Sequence, residues 1–456
     1  MTLALSRARE GRGRPVWAVH VLIVGLAVHN LVMAELWKAG VRGTALTFVA
    51  AWKDVLLLLA LALVVAVRGL RPPATASDRL ALAFGAFVVV YGLLPQSWLG
   101  GGATHRGILY SARHDLLPVG AYFLGRGLAL TPHERSRLCR TLLATAALVA
   151  GYGLVDVYAV PLSWWRHSGA PGWYRDQLGL QYHGLSGLPE NFVYNAGNAN
   201  VFRRLTSSFL SPLATAYLLV VALFFVPLRS RWGLPLALVL FGALLWTHTR
   251  AGLVSLVLGL VLLSLGRRRF RPFGWALVVV VLGFVFVKEY THFAPRTHFT
   301  AAELRIQEQN AKRHPQSSNE ALSANESSTR EHLSSLREGA RTVVRHPWGY
   351  GLGNAGVTAA RTHVQVRAGE STYTELGVET GVAGGLVFVA WSLVLLRAAF
   401  RRLRYVGAAF AAVLFLGLQT DIIGVPWIAV VVWALAGDAS SPQPLAVESR
   451  VIATSA

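Results

Sequence analysis

Cysteine and charged residues are both scarce in this sequence of 456 residues. The single cysteine, Cys139, excludes an intrachain disulfide framework and a metal site built from several cysteines. Only 14% of the residues are charged, whereas a soluble domain carries about 25%. Hydrophobic residues make up 54% of the chain. Few charges and long apolar runs together indicate an integral membrane protein.

Twelve apolar stretches approach the length of a membrane span, which is about 20 residues. The first follows basic residues, as a signal peptide would, but it lacks a small-residue cleavage site and is predicted to be a spanning helix. The sequence therefore predicts an all-α, polytopic integral membrane protein with about 12 transmembrane helices and a large extracytoplasmic loop that contains short helices. The stretches are 16–36, 44–67, 80–95, 107–128, 139–160, 209–228, 233–248, 251–266, 273–288, 375–396, 405–421 and 423–436.

The positions of the basic residues predict the orientation in the membrane. If the N-terminus is cytoplasmic, every short inside loop is basic, as the positive-inside rule describes. Much of the net charge of +21 then serves to orient the chain in the membrane. A nucleic-acid-binding function therefore loses its main support. The inside set is Arg7, Arg9, Arg12, Arg14, Arg68, Arg71, Arg79, Arg135, Arg137, Arg140, Arg229, Arg231, the run RRRFR (267–271) and RRLR (401–404).

This orientation predicts one transmembrane domain, residues 16–436, between cytoplasmic tails at 1–15 and 437–456. Two long segments, 161–208 and 289–374, then lie outside the membrane on the extracytoplasmic side. The second is the largest hydrophilic part of the chain. The polar residues that carry the function are therefore expected on the extracytoplasmic side of the membrane.

Within the second segment, STREHLSSLREGARTVVRHP (328–347) predicts an amphipathic helix. At 100° per residue, Arg330, Arg337 and Arg341 lie within about 40° of one another. Such a stripe suits a polyanion, because guanidinium groups bind phosphate oxygens bidentately. The alternative is the solvated or headgroup-facing side of an interfacial helix. The neighbouring apolar face is predicted to contain Leu333, Leu336, Ala340, Val343 and Val344.

Three arginines lie beside predicted spans. Arg203 and Arg204 directly precede an apolar stretch, and Arg250 occupies a turn between two others. A charge at membrane depth is costly and indicates a functional site. Snorkelling to the interface is the alternative, and it is easier for Arg203 than for Arg250. The adjacent opposite charges in Lys53-Asp54 and in Arg113-His114-Asp115 are predicted to neutralise each other structurally, while Asp421 fits either interpretation.

Glu370 opens ESTYTELGVETGVAGGL (370–386), where the chain is predicted to re-enter the membrane. A carboxylate at this point can act as a general base on a hydroxyl if its neighbours adjust its pKa. It can equally be a charge at a helix N-terminus, with Ser371 or Thr372 as the cap. The histidines are scattered and show no metal-ligand spacing, so neither a metal nor a cofactor is expected.

The hexapeptide GLGNAG (351–356) satisfies the G-x-G-x-x-G pattern of dinucleotide loops. A dinucleotide loop follows a strand, whereas this one follows an arginine-rich helix that ends at a proline, and this excludes a Rossmann site. Gly349, Gly351 and Gly353 are instead predicted to shape a tight turn between that helix and the membrane. The turn is expected to bring Arg341 towards Glu370.

Four motifs together resemble the O-antigen ligase and polymerase family of polytopic bacterial membrane glycosyltransferases. RRLTSSFLSPLATAYLL (203–219) is similar to the family's arginine-led segment, and THTRAGLVSLVLGL (247–260) is similar to its SRG-like turn. HPWGYGLGNAG (346–356), followed by the segment at 370–386, resembles its HP-x-G-x-G-x-G loop and the re-entry into a helix. The matches lie within about 200–390.

The resemblance implies that the protein lies in the bacterial plasma (inner) membrane. It implies an inverting, metal-independent transfer or polymerisation of an undecaprenyl-diphosphate-linked glycan onto an acceptor hydroxyl at the outer face. By motif, Arg204 (or Arg203), Arg250 and Arg341 would contact the diphosphate and stabilise its developing charge; Arg330 and Arg337 extend the stripe. The expected partners are the lipid-linked donor, a glycan or lipid-glycan acceptor and the bilayer, not nucleic acid.

One departure from the family leaves the acceptor open. Ligases of the lipopolysaccharide type have a histidine near the start of the re-entry motif, whereas this sequence has Glu370 followed by Ser371. A polymerase and a ligase with a different acceptor both fit. Two alternatives come from other classes of protein. One is a transporter or flippase of lipid-linked intermediates, because many spans and buried charges also suit a transporter. The other is a non-catalytic envelope scaffold.

Overall fold

A computed structural model describes residues 15–69, 74–180, 188, 192–196, 201–267, 270–313, 322 and 326–441. Residues 1–14 and 442–456 of the predicted tails lie outside the described residues, whereas 437–439 belong to the last helix of the bundle. Arg71, Arg268 and Arg269 of the basic loops lie outside them too, as does much of the polar stretch between 314 and 325.

Helices account for most of the described chain, and their starts carry recognisable caps. Thr75 with Asp78, and Thr131 with Glu134, form reciprocal capping boxes at two helix N-termini. The helices of the first half are α1 (Val16–Lys38), α2 (Gly43–Ala50), α3 (Trp52–Arg68), α4 (Ala76–Leu93), α5 (Gln96–Leu99), α6 (His105–Leu128), α7 (Pro132–Ala159), α8 (Leu162–Arg166) and α9 (Ala170–Gly172), followed by a π-helical turn (Trp173–Gln177).

The second half continues the bundle. Its helices are a 3₁₀ turn (Ser207–Phe209), α10 (Pro212–Leu223), α11 (Gly233–Trp246), α12 (Arg250–Arg267), α13 (Phe270–Phe293), α14 (Ala301–Arg313), α15 (Ser327–Arg345), α16 (Gly356–Arg361), α17 (Thr372–Arg402), α18 (Arg404–Leu416), a π-helical turn (Ile428–Val432) and α19 (Trp433–Ala439).

A small antiparallel sheet is the exception to the all-α prediction. Its order is β1 (Val193–Asn195), β2 (Val201–Arg203) and β3 (Arg296–Thr297), with Tyr194 opposite Phe202 and Phe202 opposite Arg296. The sheet joins the two long segments that were predicted to lie outside the membrane. These segments, 161–208 and 289–374, are called the loop region below.

Each of the twelve predicted apolar stretches falls on helical structure, but the helices differ in length. Six are long and apolar enough to cross a membrane: Val16–Lys38, Gly43–Arg68, Ala76–Leu93, Pro132–Ala159, Phe270–Phe293 and Thr372–Arg402. Five apolar helices are shorter: Pro212–Leu223, Gly233–Trp246, Arg250–Gly266, Arg404–Leu416 and Ile428–Ala439. Helix α6 (His105–Leu128), which covers the stretch 107–128, is in neither group. The chain is thus a helical membrane protein with six candidate spans among its described residues, and the count of about 12 stays a prediction.

Aromatic side chains fill the centre of the bundle. Phe84 of α4 packs on Phe388 of α17 at 5.1 Å between ring centroids, and Tyr122 of α6 packs edge-on against Trp391 at 5.6 Å. Trp433 is fully buried against Phe410 of α18. These contacts hold α4, α6, α17, α18 and α19 together, which fixes the helices from which the site is built.

Helix α17 is broken near its beginning. Gly381 has φ 70° and ψ 174°, so the backbone leaves the helical conformation there and resumes it afterwards. Residues 372–381, before and at the break, are buried except for Tyr373. The predicted re-entry segment is therefore a short helix, separated by the break from a longer one.

Candidate functional site

Two of the predicted arginines meet at the turn between α11 and α12. Arg204 Nε donates a hydrogen bond to the carbonyl of Thr247 at 2.9 Å. Arg250 begins α12, three residues further along the chain, and its Nη2 donates to Glu326 Oε2 at 2.8 Å. Two guanidinium groups from distant parts of the sequence are thus gathered at one turn.

A histidine in the same turn was missed by the sequence analysis. His248 is buried, has φ 50°, and packs between the rings of Tyr194 and Tyr290, each at 4.3 Å between centroids. The imidazole therefore fills the space between the two tyrosine rings and supports the turn.

Arg203 and Arg204 point to different surroundings. Arg203 is buried at the end of β2, where its Nη2 lies 3.2 Å from Asp156 Oδ1 of α7. Asp156 also accepts a hydrogen bond from Trp165 Nε1 at 2.6 Å. The neighbouring arginines are therefore distinct: Arg203 belongs to an internal ion pair, and Arg204 belongs to the turn.

Glu326 ties helix α15 to Arg250. It is the N-cap of α15, and its carboxylate accepts hydrogen bonds from the backbone and side chain of Thr329. Burial opposes ionisation of Glu326, but the hydrogen bond from Arg250 and its charge outweigh burial and lower the pKa. Glu326 is therefore an anion at neutral pH and fixes the start of α15 beside the arginine turn.

Glu370 lies beside a histidine of α15. His332 Nδ1 is 2.7 Å from Glu370 Oε2, and the two side chains are 37% and 40% exposed. Glu370 has φ 64°, a left-handed conformation that non-glycine residues rarely adopt. Both side chains are therefore partly exposed, whereas the two atoms that make the contact are buried.

The alternative prediction made Glu370 a helix-end charge with Ser371 or Thr372 as the cap. Ser371 is the residue before α17, but its side chain makes no capping bond; it donates to the carbonyl of Gly417 at 3.0 Å. Thr372 Oγ1 donates to Thr420 at 3.2 Å. Both hydroxyl groups thus anchor the re-entry helix to the segment that follows α18.

The arginine stripe and the Glu370 contact lie on opposite sides of α15. A Cβ on Gly339 would meet Thr374 of α17, and Val343 approaches Gly377, so the face that includes His332 packs on α17. Arg341 follows His332 by nine residues, which turns it about 180° and moves it about 13 Å along the axis. The expected approach of Arg341 to Glu370 is therefore not what the structure shows. Arg330, Arg337 and Arg341 are all exposed.

The three loop-shaping glycines all have positive φ. The values are 77° at Gly349, 88° at Gly351 and 82° at Gly353. A Cβ on Gly349 would lie 2.5 Å from the backbone nitrogen of Gly381, and the N–H of Gly353 donates to Glu379 Oε1 at 2.8 Å. The loop therefore packs into the break of α17.

Asn354 joins this loop to the turn that follows α5. Its Nδ2 donates to Gln96 Oε1 at 2.8 Å and to the Gly351 carbonyl at 2.9 Å, while its Oδ1 accepts from the N–H of Gly102 at 2.8 Å. The asparagine is buried and uses its amide for these internal bonds. It is a connector between two loops.

The acidic and basic neighbours of α3 and α6 pair differently from the prediction. Arg113 contacts Asp54 at 2.9 Å across the two helices. His114 contacts both its neighbour Asp115, at 2.7 Å, and Asp421, at 2.8 Å. These charges are thus paired partly through partners that are distant in the sequence, and their structural role stays a prediction. No group of metal-ligating side chains occurs among the described residues.

Residues 235–389 match a family model described as O-antigen ligase. The matched part contains the Arg250 turn, helix α15, the glycine loop and Glu370. No curated protein matches the chain. Over these residues the chain is O-antigen ligase-like, in agreement with its motifs. This similarity supports a membrane glycosyltransferase-like role in O-antigen assembly.

Proposed function

We propose, from this similarity and from the contact between Glu370 and His332, that the protein joins a lipid-linked glycan to an acceptor hydroxyl. The donor is an undecaprenyl-diphosphate-linked glycan in a bacterial plasma membrane. The loop region faces outside and both termini lie in the cytoplasm, in keeping with the basic inside loops. The observation that carries the proposal is the half-buried carboxylate of Glu370, held 2.7 Å from an imidazole just before the re-entry helix.

Glu370 acts as the general base in the proposed reaction. Its carboxylate takes the proton of the acceptor hydroxyl while the hydroxyl oxygen forms a bond to the anomeric carbon. The bond from that carbon to the diphosphate oxygen breaks, and undecaprenyl diphosphate leaves with the electron pair. A single displacement of this kind inverts the anomeric configuration. His332 positions the carboxylate.

Arg204 and Arg250 bind the diphosphate in this proposal. Fixed cations stabilise the charge that develops on the leaving group, which is often the largest catalytic contribution. The reaction then requires neither a metal nor a nucleotide, because the arginines supply the positive charge and the donor carries its own leaving group.

The spacing along α15 suits this division of roles. Glu326, which holds Arg250, precedes His332 by six residues, or about 9 Å of helix axis. In this proposal the transferred sugar lies between the cations and the carboxylate. Arg203 is assigned to the internal pair with Asp156 instead of the diphosphate.

The exposed stripe receives a different task. Arg330, Arg337 and Arg341 face away from Glu370, so we assign them to attracting and binding the donor's phosphates before transfer. The glycines at 349, 351 and 353 maintain the packing of the loop against α17.

The test is a transfer assay with purified protein in lipid nanodiscs. An undecaprenyl-diphosphate oligosaccharide is supplied with candidate acceptors, and both released undecaprenyl diphosphate and extended or transferred glycan are measured. Loss of a general base is expected to slow transfer by about 10²–10⁴-fold in Glu370→Gln. The matched control is Glu289→Gln, which removes the carboxylate of an exposed Glu-His contact at the end of α13. Equal activity of both variants would remove Glu370 from the mechanism.

One observation favours the transporter alternative. The break of α17 at Gly381 is the kind of interruption that transporters use at substrate sites. Proteoliposomes that contain a fluorescent lipid-linked glycan separate the two functions. Movement of the intact lipid across the membrane, with no release of undecaprenyl diphosphate, would support transport and contradict the transferase.

A further inference from the structure

A cavity lies beside the glycine loop, between the turn at Gly100–Gly102 and residues 354–367. Its volume is about 410 Å³, within the range of about 300–1,000 Å³ that small-molecule sites occupy. The residues that define its character are Gly101, Thr104, Asn354, Thr362, Gln365 and Arg367. Hydroxyl, amide and backbone groups therefore make up much of the wall.

The charge in this wall is of one sign. Arg367 contributes a guanidinium group, and no aspartate or glutamate is among the described residues that line the cavity. The guanidinium lies over the ring of Tyr350, 4.5 Å from its centroid, and that ring stacks in turn on His346 at 4.0 Å. The stack holds the arginine in one orientation and leaves the edge of its planar group for a ligand.

Further cations lie near the cavity-lining residues along the chain: Arg361 precedes Thr362, and Arg106 follows Thr104 by two residues. Arg361 lies over the ring of Tyr110, 4.4 Å from its centroid, and Arg106 donates from Nε to the same tyrosine hydroxyl at 2.7 Å. Burial, together with the charges of Arg106 and Arg113, lowers the pKa of Arg361. Asp54 contacts Arg113. The first turns of α6 and the end of α16 are thus rich in positive charge.

The cavity is connected to Glu370 through the backbone. The N–H of Arg367 donates to the carbonyl of Asn354 at 3.0 Å, and the N–H of Gly356 donates to Ala368 at 2.7 Å. Glu370 follows Arg367 by three residues, and a fully extended chain spans about 10 Å between the Cα atoms of two such positions. The cavity and the proposed base are therefore neighbours along the chain.

We propose that this cavity binds an acidic sugar, one that carries a carboxylate, and that it selects an acceptor glycan with such a residue. The arginine edge binds the carboxylate bidentately. The hydroxyl groups of Thr104 and Thr362 and the amide of the exposed Gln365 bind the sugar hydroxyls. Its role as an acceptor site rests on the proposed function, whereas its affinity for an acidic saccharide does not.

The test measures binding and transfer separately, in nanodiscs of zwitterionic lipid. The probes are a short oligouronate and the same oligosaccharide after reduction of its carboxylates to alcohols. The wild-type protein is expected to bind the oligouronate at least about tenfold more tightly than the neutral form. Arg367→Gln should remove this preference and leave binding of the neutral form unchanged, while Arg296→Gln, an exposed arginine of β3, should change neither.

A second variant covers the case in which Arg367→Gln does not fold. Val364 lines the cavity, and Val364→Trp fills it, which should abolish binding of both saccharides while the cation remains. Equal affinity of the wild type for the acidic and neutral forms would overturn the proposal. The proposal would also be overturned if phosphatidylglycerol vesicles displaced labelled oligouronate from the protein while excess unlabelled oligouronate did not. The cavity would then be a lipid headgroup site.

The two proposals fail in different ways. In one case the wild type binds the acidic saccharide selectively, Arg367→Gln loses this selectivity, and no acceptor is used for transfer. This result would support the acidic-sugar site and contradict the transferase. Transfer that proceeds equally with acidic and neutral acceptors would leave the transferase in place and contradict the acidic-sugar site.

Discussion

His332 Nδ1 lies 2.7 Å from Glu370 Oε2, and this contact joins helix α15 to the start of the re-entry helix. Glu370 alone would be a mobile surface carboxylate. Next to an imidazole, and with its backbone in the left-handed region, it has a defined direction and a charged partner. The protonation state of one group therefore affects both the stability of the loop region and the availability of the proposed base.

The first prediction concerns pH. The contact with Glu370 outweighs partial burial and raises the pKa of His332 above 6.5. Because the folded-state pKa is the higher one, the stabilisation from this ion pair is complete below about pH 6.5, the unfolded value. It is lost as the pH rises through the folded value. The thermal unfolding temperature of the wild type, relative to that of His332→Asn, should therefore fall across that interval.

Transfer activity should change in the opposite direction over the same interval. When His332 loses its proton, the carboxylate of Glu370 is released from the ion pair and becomes the better proton acceptor. The ratio kcat/KM of the wild type should rise through the folded pKa of His332, and the rise should be absent in His332→Asn. If the contact is purely structural, His332→Asn should change the unfolding temperature but should keep the rise of kcat/KM with pH.

A second prediction separates the arginine turn from the arginine stripe. Arg250→Gln removes a cation proposed to act on the leaving group, so kcat should fall by about 10²–10³-fold. Replacing Arg330, Arg337 and Arg341 together by glutamine should instead raise KM for the donor, with kcat nearly unchanged. The effect should shrink at high salt, because these side chains are exposed. A fall in kcat for the stripe variant would place the stripe at the reacting atoms.

Some of the site could be predicted from the sequence because its signals are local. Arg250 and Glu370 stand out as charges beside apolar runs, and the glycine loop follows a helix that ends at a proline. The helices of the bundle are visible for the same reason, since hydropathy depends on the composition of one segment. Span number is harder, because several apolar helices are shorter than the hydrocarbon core of a bilayer.

His332 could not be found in this way. The apolar residues of α15 predict a buried face that includes Leu333 and Val344, yet these are 47% and 77% exposed. The face that packs on α17 includes Val343 from that prediction, but also Gly339, a position that a hydrophobic pattern does not reveal. The pairing of Arg203 with Asp156 was hidden for a related reason, because the two residues come from separate elements.

The third prediction tests the separate roles of the adjacent arginines. Arg203→Met leaves the carboxylate of Asp156 buried without its cation, which should cost about 3–5 kcal/mol of unfolding free energy. The double variant Arg203→Met with Asp156→Asn should recover most of this loss, because no charge then remains buried. Arg204→Gln should unfold near the wild-type temperature but lose transfer activity. An equal loss of stability in both single arginine variants would show that Arg204 is also structural.

The fourth prediction concerns the loop that packs into the break of α17. Gly349→Ala places a side chain at φ 77°, which costs about 1–2 kcal/mol before any steric overlap. The new Cβ would also lie 2.5 Å from the nitrogen of Gly381, so the loop or the break must move. We expect a lower unfolding temperature and a fall in activity together.

The control is Gly242→Ala in the interior of α11, where a Cβ meets nothing within 4 Å. That change should be neutral, or stabilising by up to about 1 kcal/mol, because alanine is the better helix former. If Gly349→Ala instead behaves like Gly242→Ala, the loop does not need its glycine there, and the packing of the loop against Gly381 is not what holds the site in place.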